Sequence, residues 1–410
     1  MRYDFPVPDQ ALRRDGTTAA AYSSVITWAF FIYAVSPMLP LLRDELGVTS
    51  SVVALHSLAL SAGGVAAGVV GPALVHRFTR GGAATGGVMG LAVGTAVLII
   101  GSLAPSGALL FTVPAMGLAG VTGGLALNVC ATTLQDHHTP YGSTMVTEAN
   151  AAAATIGLTS PLLVGWTTNL GWTWRPAVGV AGVLALLTAW LIRRHRNVPA
   201  YLVTGPAPQR PRTHSGRVTR RFPLPYWLVL LGGVAGVSVE FAAASWAPDL
   251  VGERTGLAPS QATATASGVI AGMAAGRWLL SAFTRRRSPV SLYLAGSVVA
   301  LTGWALAWTS TSTPLAVAGL VLLGLGIAGH FPLCASMVMM LSPGRTDLAV
   351  GVMSVFFGTA LGLGPFTLAA LADTTGTHTA FLAVPAALLT GGAAVAVAGR
   401  GALASGTGTP

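Results

Sequence analysis

Residues 84–104 read ATGGVMGLAVGTAVLIIGSLA, a run of 21 residues without a charged side chain. About 20 apolar residues in a helix span the ~30 Å hydrocarbon core of a bilayer, so this run predicts one transmembrane helix. The whole chain has the same character, since 53% of its 410 residues are hydrophobic and 8% are charged. Soluble domains average about 25% charged residues and rarely grow one core beyond ~250 to 300 residues. We therefore predict a protein whose solvent is lipid.

Eleven further apolar runs, separated by charged or Pro/Gly-rich breaks, bring the predicted number of transmembrane helices to twelve. The expected fold class is therefore an all-α membrane protein. The predicted spans cover residues 22–42, 53–75, 84–104, 108–132, 143–167, 174–192, 226–248, 261–283, 290–310, 315–341, 348–371 and 380–399.

The basic residues, all of them arginine, predict the orientation of these spans. Cytoplasmic loops carry an excess of positive charge. With the N-terminus inside, 18 arginines fall in inner segments, three fall in outer loops and Arg277 falls within a span. We therefore predict cytoplasmic tails at 1–21 and 400–410 and an arginine-rich cytoplasmic linker at 193–225. Because these charges lie between apolar runs, the net charge of +10 does not indicate nucleic-acid binding.

The absence of lysine, together with abundant alanine and glycine, indicates a GC-rich bacterial genome. The predicted location is a bacterial cytoplasmic membrane, with the lipid bilayer as the protein's permanent partner. The segment 1–18 is polar and leads directly into a full-length span, so we expect no cleavable signal peptide.

An internal repeat divides the chain into two predicted six-helix bundles, 22–192 and 226–399. A shift of about 204 positions brings short strings of both halves into register. The aligned residues are Gly64-Val65-Ala66-Ala67-Gly68 with Gly268-Val269-Ile270-Ala271-Gly272, Phe78-Thr79-Arg80 with Phe283-Thr284-Arg285 at one residue of slip, Gly120 with Gly324, Cys130 with Cys334, and Pro161 with Pro365. In transporters built from parallel repeats, the site lies between the repeats and the halves rock around it.

On these features the chain resembles the major facilitator superfamily over essentially its whole length. The family's loop between spans two and three usually reads Gly-x-Leu-x-Asp-Arg-x-Gly-Arg, and residues 72–80 here read PALVHRFTR. His76 occupies the position of the acid, which weakens transfer of the family's gating charge pair. Arg77 and Arg80 are therefore candidate gating or structural charges and topology signals. The Gly276-Arg277 pair in span eight is also similar to the family's pattern.

Two shorter motifs resemble different branches of that family. Glu240 followed by Trp246, with Asn128 in span four, resembles the fucose-permease-like branch and implies uptake by symport. Residues 160–165, SPLLVG, are similar to the Gly-Pro-x-x-Gly-Gly signature of drug/proton antiporters, which implies export. The counterpart at 362–365, GLGP, favours a packing and kink role for this motif instead. Both directions of transport stay open.

Ionisable side chains inside the predicted spans are candidate functional groups, because a charge in hydrocarbon costs several kcal/mol. Glu240 lies near the middle of span seven and is the predicted proton carrier, since desolvation disfavours its charged form. Glu148 and His330 are further candidates for proton coupling, although a histidine satisfied by neighbours would only pack. Arg277 is predicted to anchor a helix end or form a structural pair, with Glu148 as a conceivable partner.

Aromatic and amide side chains in the central spans are candidates for solute binding. Trp28, Tyr33, Asn128 and Trp246 could offer stacking faces and hydrogen bonds to a neutral or weakly polar solute. The alternative for each is ordinary packing.

The sequence predicts a secondary active transporter that moves a small organic solute by alternating access with protons. A chain without lysine cannot carry the nucleotide-binding Gly-x-x-x-x-Gly-Lys-Ser/Thr motif, so ATP-driven transport would need a separate ATPase subunit. We expect no such subunit and no cofactor. No cluster of nucleophile, base or metal ligands predicts an enzyme. The alternatives are a proton-antiport efflux pump for drugs or natural products, and a non-transporting sensor or scaffold, for which His76 is the supporting departure.

Overall fold

The computed structural model describes residues 14–104, 106–138, 142–195, 197, 199–202, 222–283, 287–342 and 346–405. Regular secondary structure in these ranges is helical throughout. The helices are α1 (Gly16–Leu46), α2 (Ser50–Gly101), α3 (Leu109–His137), α4 (Gly142–Gly157), α5 (Thr159–Asn169), α6 (Arg175–His195), α7 (Pro199–Leu202), α8 (Leu224–Thr255), α9 (Pro259–Ala264), α10 (Ala266–Phe283), α11 (Pro289–Thr309), α12 (Thr313–Ile327), α13 (His330–Met340), α14 (Thr346–Thr375), α15 (Thr377–Ala380) and α16 (Ala383–Ser405).

Each predicted span falls on one helix or on two consecutive helices. Nine helical stretches in the described part of the chain are long and apolar enough to cross a membrane. One of them, α2, has 52 residues and supplies two spans, because Thr79 leaves the helical conformation at φ 64° and ψ 165°. The interrupted pairs α4/α5 and α9/α10 supply two more. The twelve-helix prediction therefore agrees with the observed elements.

Some helices extend past the predicted bounds of the tails and the linker. Helix α1 begins at Gly16, within the predicted N-terminal tail, and α16 continues to Ser405, within the predicted C-terminal tail. Helix α6 runs to His195, inside the predicted linker, and Tyr201 of α7 is buried against Gly81. The start of the linker is therefore part of the N-terminal bundle. Residues 1–13 and 203–221 lie outside the described residues.

Asp15 explains why α1 begins earlier than predicted. Its carboxylate accepts the backbone N–H of Thr18 at 2.9 Å, which caps the helix, and lies 2.9 Å from His137 Nε2. Partial burial raises the pKa of Asp15, but the hydrogen bonds from Thr18 and His137 outweigh it and lower the pKa to about 2. The stabilisation is complete above the ordinary value of 3.8 and disappears only as the pH falls through about 2. Asp15 thus stays charged in any neutral transport assay.

Gly120 and Gly324, which the predicted repeat aligns, occupy equivalent helix crossings in the two halves. A Cβ on Gly120 would overlap the carbonyl oxygen of Leu60, and a Cβ on Gly324 would overlap that of Val269. The glycines let α3 and α12 approach α2 and α10 at backbone distance.

The predicted match of the string at Gly64–Gly68 with the string at Gly268–Gly272 is wrong. A Cβ on Gly64 or Gly68 would meet no atom within 4 Å, whereas one on Gly272 would overlap the Val321 carbonyl oxygen. Gly63, which is packed against the Gly117 carbonyl, is the structural counterpart of Gly272. Alanine and glycine are so frequent in this chain that the two strings match by chance. Their sequence alignment is shifted by about one helical turn from the structural alignment.

The antiporter-like motif at 160–165 lies in α5, directly after the interruption between α4 and α5. Pro161 has no N–H to give to the carbonyl of Gly157, and the Ser160 hydroxyl donates to that carbonyl at 2.8 Å. The counterpart Gly364 packs against the backbone of Ser238 in α8. Both observations support the packing interpretation of these motifs.

The two faces of the bundle can be told apart by the chain ends. We call the face that holds the start of α1, the end of α6 and the start of α8 the linker face, and the opposite one the distal face. Gly16 contacts His195 at the linker face. The arginine distribution predicts that the linker face is cytoplasmic.

Candidate functional site

A buried ion pair joins two helices of the C-terminal half. Glu240 lies at the middle of the 32-residue α8, and its Oε1 is 3.8 Å from a guanidinium nitrogen of Arg277 in α10. The Glu240 side chain is 10% exposed and that of Arg277 is 27% exposed. Arg277 is the only charged group in the described part of the chain that acts on Glu240. The two charges therefore compensate each other, and both side chains keep part of their surface exposed.

Tyr33 of α1 brings the N-terminal half to this pair. Its hydroxyl lies beside the Arg277 guanidinium and interacts with it electrostatically. Gly157, the last residue of α4, makes room for the ring, because a Cβ there would lie 2.5 Å from Tyr33 Cδ2. The cluster of Tyr33, Glu240 and Arg277 thus spans both halves at mid-depth, and we call it the central cluster.

Glu148 does not join the central cluster, and the conceived pairing of Glu148 with Arg277 is wrong. Its carboxylate pairs with Arg14 at 2.8 Å on the linker face, where the Glu148 side chain is 37% exposed. Glu148 therefore lies at the linker face and not at mid-depth. Arg277 is likewise not a helix-end anchor, since its partners are Glu240 and Tyr33.

His330 is buried within the C-terminal half. Its ring stacks on Tyr293 with centroids 4.2 Å apart, its Nε2 lies 3.2 Å from the Ser297 hydroxyl, and it packs against Gly236. These contacts join α13 to α11 and α8. No described hydrogen bond or ion pair links His330 to Glu240, so in this conformation it is a packing residue.

The four predicted solute-binding residues separate in the structure. Only Tyr33 belongs to the central cluster. Trp28 is half-buried and packs over Gly123, whereas Asn128 is exposed on α3 with no described interaction with the cluster. Trp246 is fully buried and donates its indole N–H to the Pro365 carbonyl at 3.0 Å. Trp246 therefore has no donor left for a solute in this conformation.

Arg80 and Arg77 have different surroundings. Arg80 is 3% exposed and pairs with Asp136, near the end of α3, at 2.7 Å. Arg77 is exposed and its guanidinium lies 5.3 Å from the Phe78 ring centroid. The structural role thus falls to Arg80. The sequence reasoning missed Asp136, although an acid at the inner end of span four was a usable signal once His76 replaced the expected acid.

The halves are joined at the distal face by contacts that the sequence reasoning also missed. Arg43 pairs with Asp249 at 2.5 Å, which joins α1 to α8. The Asp373 carboxylate of α14 accepts the backbone N–H groups of Ser50 and Ser51 at 2.8 and 2.7 Å. An acid at this position accepts hydrogen bonds from amides of the α2 N-terminus that have no partner within the helix. Its negative charge also interacts favourably with the positive end of the helix dipole. We call these two contacts the distal latch.

The latch indicates which face is closed. Ser61 also donates to the Gly358 carbonyl across the halves, and Ser260 of α9 donates to Asn169. Among the described residues, every hydrogen bond and ion pair between the halves lies at mid-depth or on the distal side. In this conformation these contacts thus close the distal face, and none of those described closes the linker face.

Breaking the distal latch should favour the opposite conformation. We expect Arg43→Gln with Asp373→Asn to speed labelling of a Ser57→Cys reporter by a membrane-impermeant maleimide about 5- to 30-fold, corresponding to about 1–2 kcal/mol. Ser57 is buried beside Gly362, and both native cysteines are buried. The control is Arg175→Gln, which removes the Arg175–Glu45 pair within one half. Equal acceleration in the control would contradict the latch.

An apolar groove elsewhere in the C-terminal half is a separate feature. It has a volume of about 560 Å³ and lies between α8, α14 and α16. Its lining holds no charged residue, and its polar members are Ser238, Thr359 and Thr367. The central cluster is therefore not part of it.

Two six-helix halves that close at one face over a buried ion pair define a secondary transporter of the membrane. The chain belongs to the Major Facilitator Superfamily, whose family model matches residues 21–312. That family consists of transporters and not of enzymes. No curated protein sequence matches the chain significantly.

Solved structures share the fold at low sequence identity. A peptide transporter, POT, is 14% identical with a TM-score of 0.73, covering 93% of this chain and 94% of that chain. A D-xylose–proton symporter is 14% identical with a TM-score of 0.69, covering 93% and 96%. A bacterial homologue of the human lysosomal transporter Spinster, in an inward-facing unoccupied conformation, is 16% identical with a TM-score of 0.71, covering 95% and 98%.

Proposed function

We propose that this protein is a proton-coupled secondary transporter of a small organic solute, with Glu240 as the proton carrier. The observation that carries the proposal is the Glu240–Arg277 pair at mid-depth, which is largely buried while part of the Arg277 side chain stays exposed. An acid in such a place can exchange its proton with whichever face the conformation exposes.

The coupling follows from the energetics of the pair. While Glu240 is ionised, Arg277 compensates its charge, and the two hold each other in place. Protonation of Glu240 removes that attraction and frees the guanidinium, because an arginine keeps its own proton. Proton loading thus changes what Arg277 and Tyr33 can bind, and a solute bound there is linked to the proton.

Alternating access follows from the distal latch. In the present conformation, which the arginine distribution orients toward the cytoplasm, the central cluster exchanges protons and solute with that side. Opening of the distal latch and closure of the linker face would expose the same cluster to the outside. The similarity in fold to a D-xylose–proton symporter supports this coupling by analogy.

Flux into proteoliposomes tests the proposal. Purified protein is reconstituted, and radiolabelled sugars, amino acids and monocarboxylates are offered with and without an imposed pH gradient. We expect at least one solute to accumulate with the gradient and to stop accumulating when a protonophore collapses it. The side on which it accumulates distinguishes uptake from export. Flux that ignores the gradient, or no flux of any solute, contradicts the proposal and in the second case favours a sensor or scaffold.

A further inference from the structure

We infer that the solute is a monoanion, such as a monocarboxylate, whose negative charge replaces Glu240 as the counter-ion of Arg277. The inference deepens the proposed function and rests on it. Its basis is the charge composition of the central cluster, which holds one acid, one permanent cation and one tyrosine.

The empty site is neutral while Glu240 is ionised. When Glu240 takes up a proton, the cluster carries one uncompensated positive charge, since arginine does not lose its proton in proteins. Leaving a buried charge without its partner is strongly unfavourable. A bound anion restores neutrality, with Glu240 neutral and Arg277 paired to the solute.

The net charge of each occupied state selects the class of solute. A neutral solute would leave the proton-loaded site at one positive charge, a cation would raise it to two, and a dianion would leave one negative charge. Only a monoanion makes both the empty and the fully loaded sites neutral. Occlusion removes the cluster from water, so the protein closes most easily around these two neutral states. The transport ratio is therefore one proton for each anion.

The side chains present suit a carboxylate. The guanidinium of Arg277 can donate two parallel hydrogen bonds to one. The Tyr33 hydroxyl lies beside the same guanidinium and could donate a third.

Several of the other titratable groups near α8 are engaged elsewhere. No described charge other than Arg277 acts on Glu240. Tyr293 of α11 is hydrogen-bonded to the α8 backbone. Besides Tyr33 and Arg277, the titratable groups on the helices packed against α8 are Tyr22, Arg43, Asp44 and Glu45 of α1, His330 and Cys334 of α13, Asp347 and Asp373 of α14, His378 of α15 and Arg400 of α16. Arg43 and Asp373 belong to the distal latch, Tyr293 and His330 stack on each other, and His378 stacks on Trp308. Protonation of Glu240 therefore leaves Arg277 as the group that needs a new partner.

Matched acid and amide pairs test the inference on the purified full-length protein. The probes are benzoate and benzamide, phenylacetate and phenylacetamide, lactate and lactamide, and sulfate, which is a dianion at both pH values, each titrated by thermal shift at pH 5.5 and 7.5. We expect at least one monocarboxylate to stabilise the protein, more tightly at pH 5.5, while its amide and sulfate do not. Arg277→Gln should weaken that binding about 100-fold.

The Glu240→Gln variant tests the inference even if Arg277 variants fail to fold. Glutamine imitates the protonated acid, so this variant should bind the same monocarboxylate equally tightly at both pH values. Amides that bind as well as the acids, or a panel in which no acid binds, would overturn the inference. Proton-driven flux of a neutral solute would overturn it while leaving the proposed function intact. Acid binding that is equally pH-dependent in wild type and Glu240→Gln would instead contradict Glu240 as the proton carrier.

Discussion

Glu240→Gln is expected to abolish accumulation of solute while leaving exchange across the membrane intact. A gradient of one pH unit supports at most about tenfold accumulation for one proton per solute, since one unit corresponds to about 1.4 kcal/mol. In the variant the accumulation ratio should fall to about 1, because an uncharged glutamine can neither take up nor release the proton. Counterflow of labelled against unlabelled solute should continue, because the loaded site remains neutral.

The measurement compares gradient-driven uptake with counterflow in the same proteoliposomes. Glu148→Gln is the matched control, since it makes the same chemical change in an acid that pairs with Arg14 at the linker face. The control should retain accumulation. If Glu240→Gln still accumulates solute, or if both variants lose accumulation equally, Glu240 does not carry the proton.

Gly324→Ala should lower the free energy of unfolding by about 3 kcal/mol, the upper end of the usual cost of overpacking. The added Cβ would overlap the Val269 carbonyl oxygen, and backbone cannot move aside as the end of a flexible side chain can. Helices α12 and α10 would have to separate at their point of closest approach.

Thermal unfolding in detergent measures this effect. Gly68→Ala is the control, because it adds the same methyl group to a helix of the other half where no atom lies within 4 Å. The control should be neutral or stabilising by up to about 1 kcal/mol, the difference in helix propensity. A Gly324→Ala variant that unfolds at the wild-type temperature would show that the crossing is loose.

The sequence placed Glu240 near the middle of its span, where the structure has it, but offered Glu148 rather than Glu240 as the partner of Arg277. Its depth follows from counting residues at 1.5 Å each, and an error of a few residues changes it little. Its partner depends on the rotation of α8 and α10 about their axes, and one residue changes that rotation by about 100°. An uncertainty of several residues in the span boundaries therefore leaves the predicted depth of Glu240 nearly unchanged, but it leaves undetermined which neighbouring side chain Glu240 faces.

Trp246 and His330 are two further residues whose neighbours could not be predicted from the sequence. Both lie at depths where a solute could meet them, and both residue types are common in binding sites. In the structure the Trp246 N–H binds the Pro365 carbonyl and His330 stacks on Tyr293. Whether a polar side chain lines a cavity or joins two helices is a property of the neighbouring helix, which lies far away in the sequence.

The twelve apolar runs, their predicted orientation and the division into two halves are determined by the sequence alone. They depend on how much each segment costs to place in lipid or water, and that cost is nearly independent of the other segments. Only the tertiary structure decided that Arg277 compensates Glu240, that Asp373 caps α2 from the other half, and that Gly272 corresponds to Gly63. These depend on how packed helices rotate and cross, which no segment specifies without its neighbours.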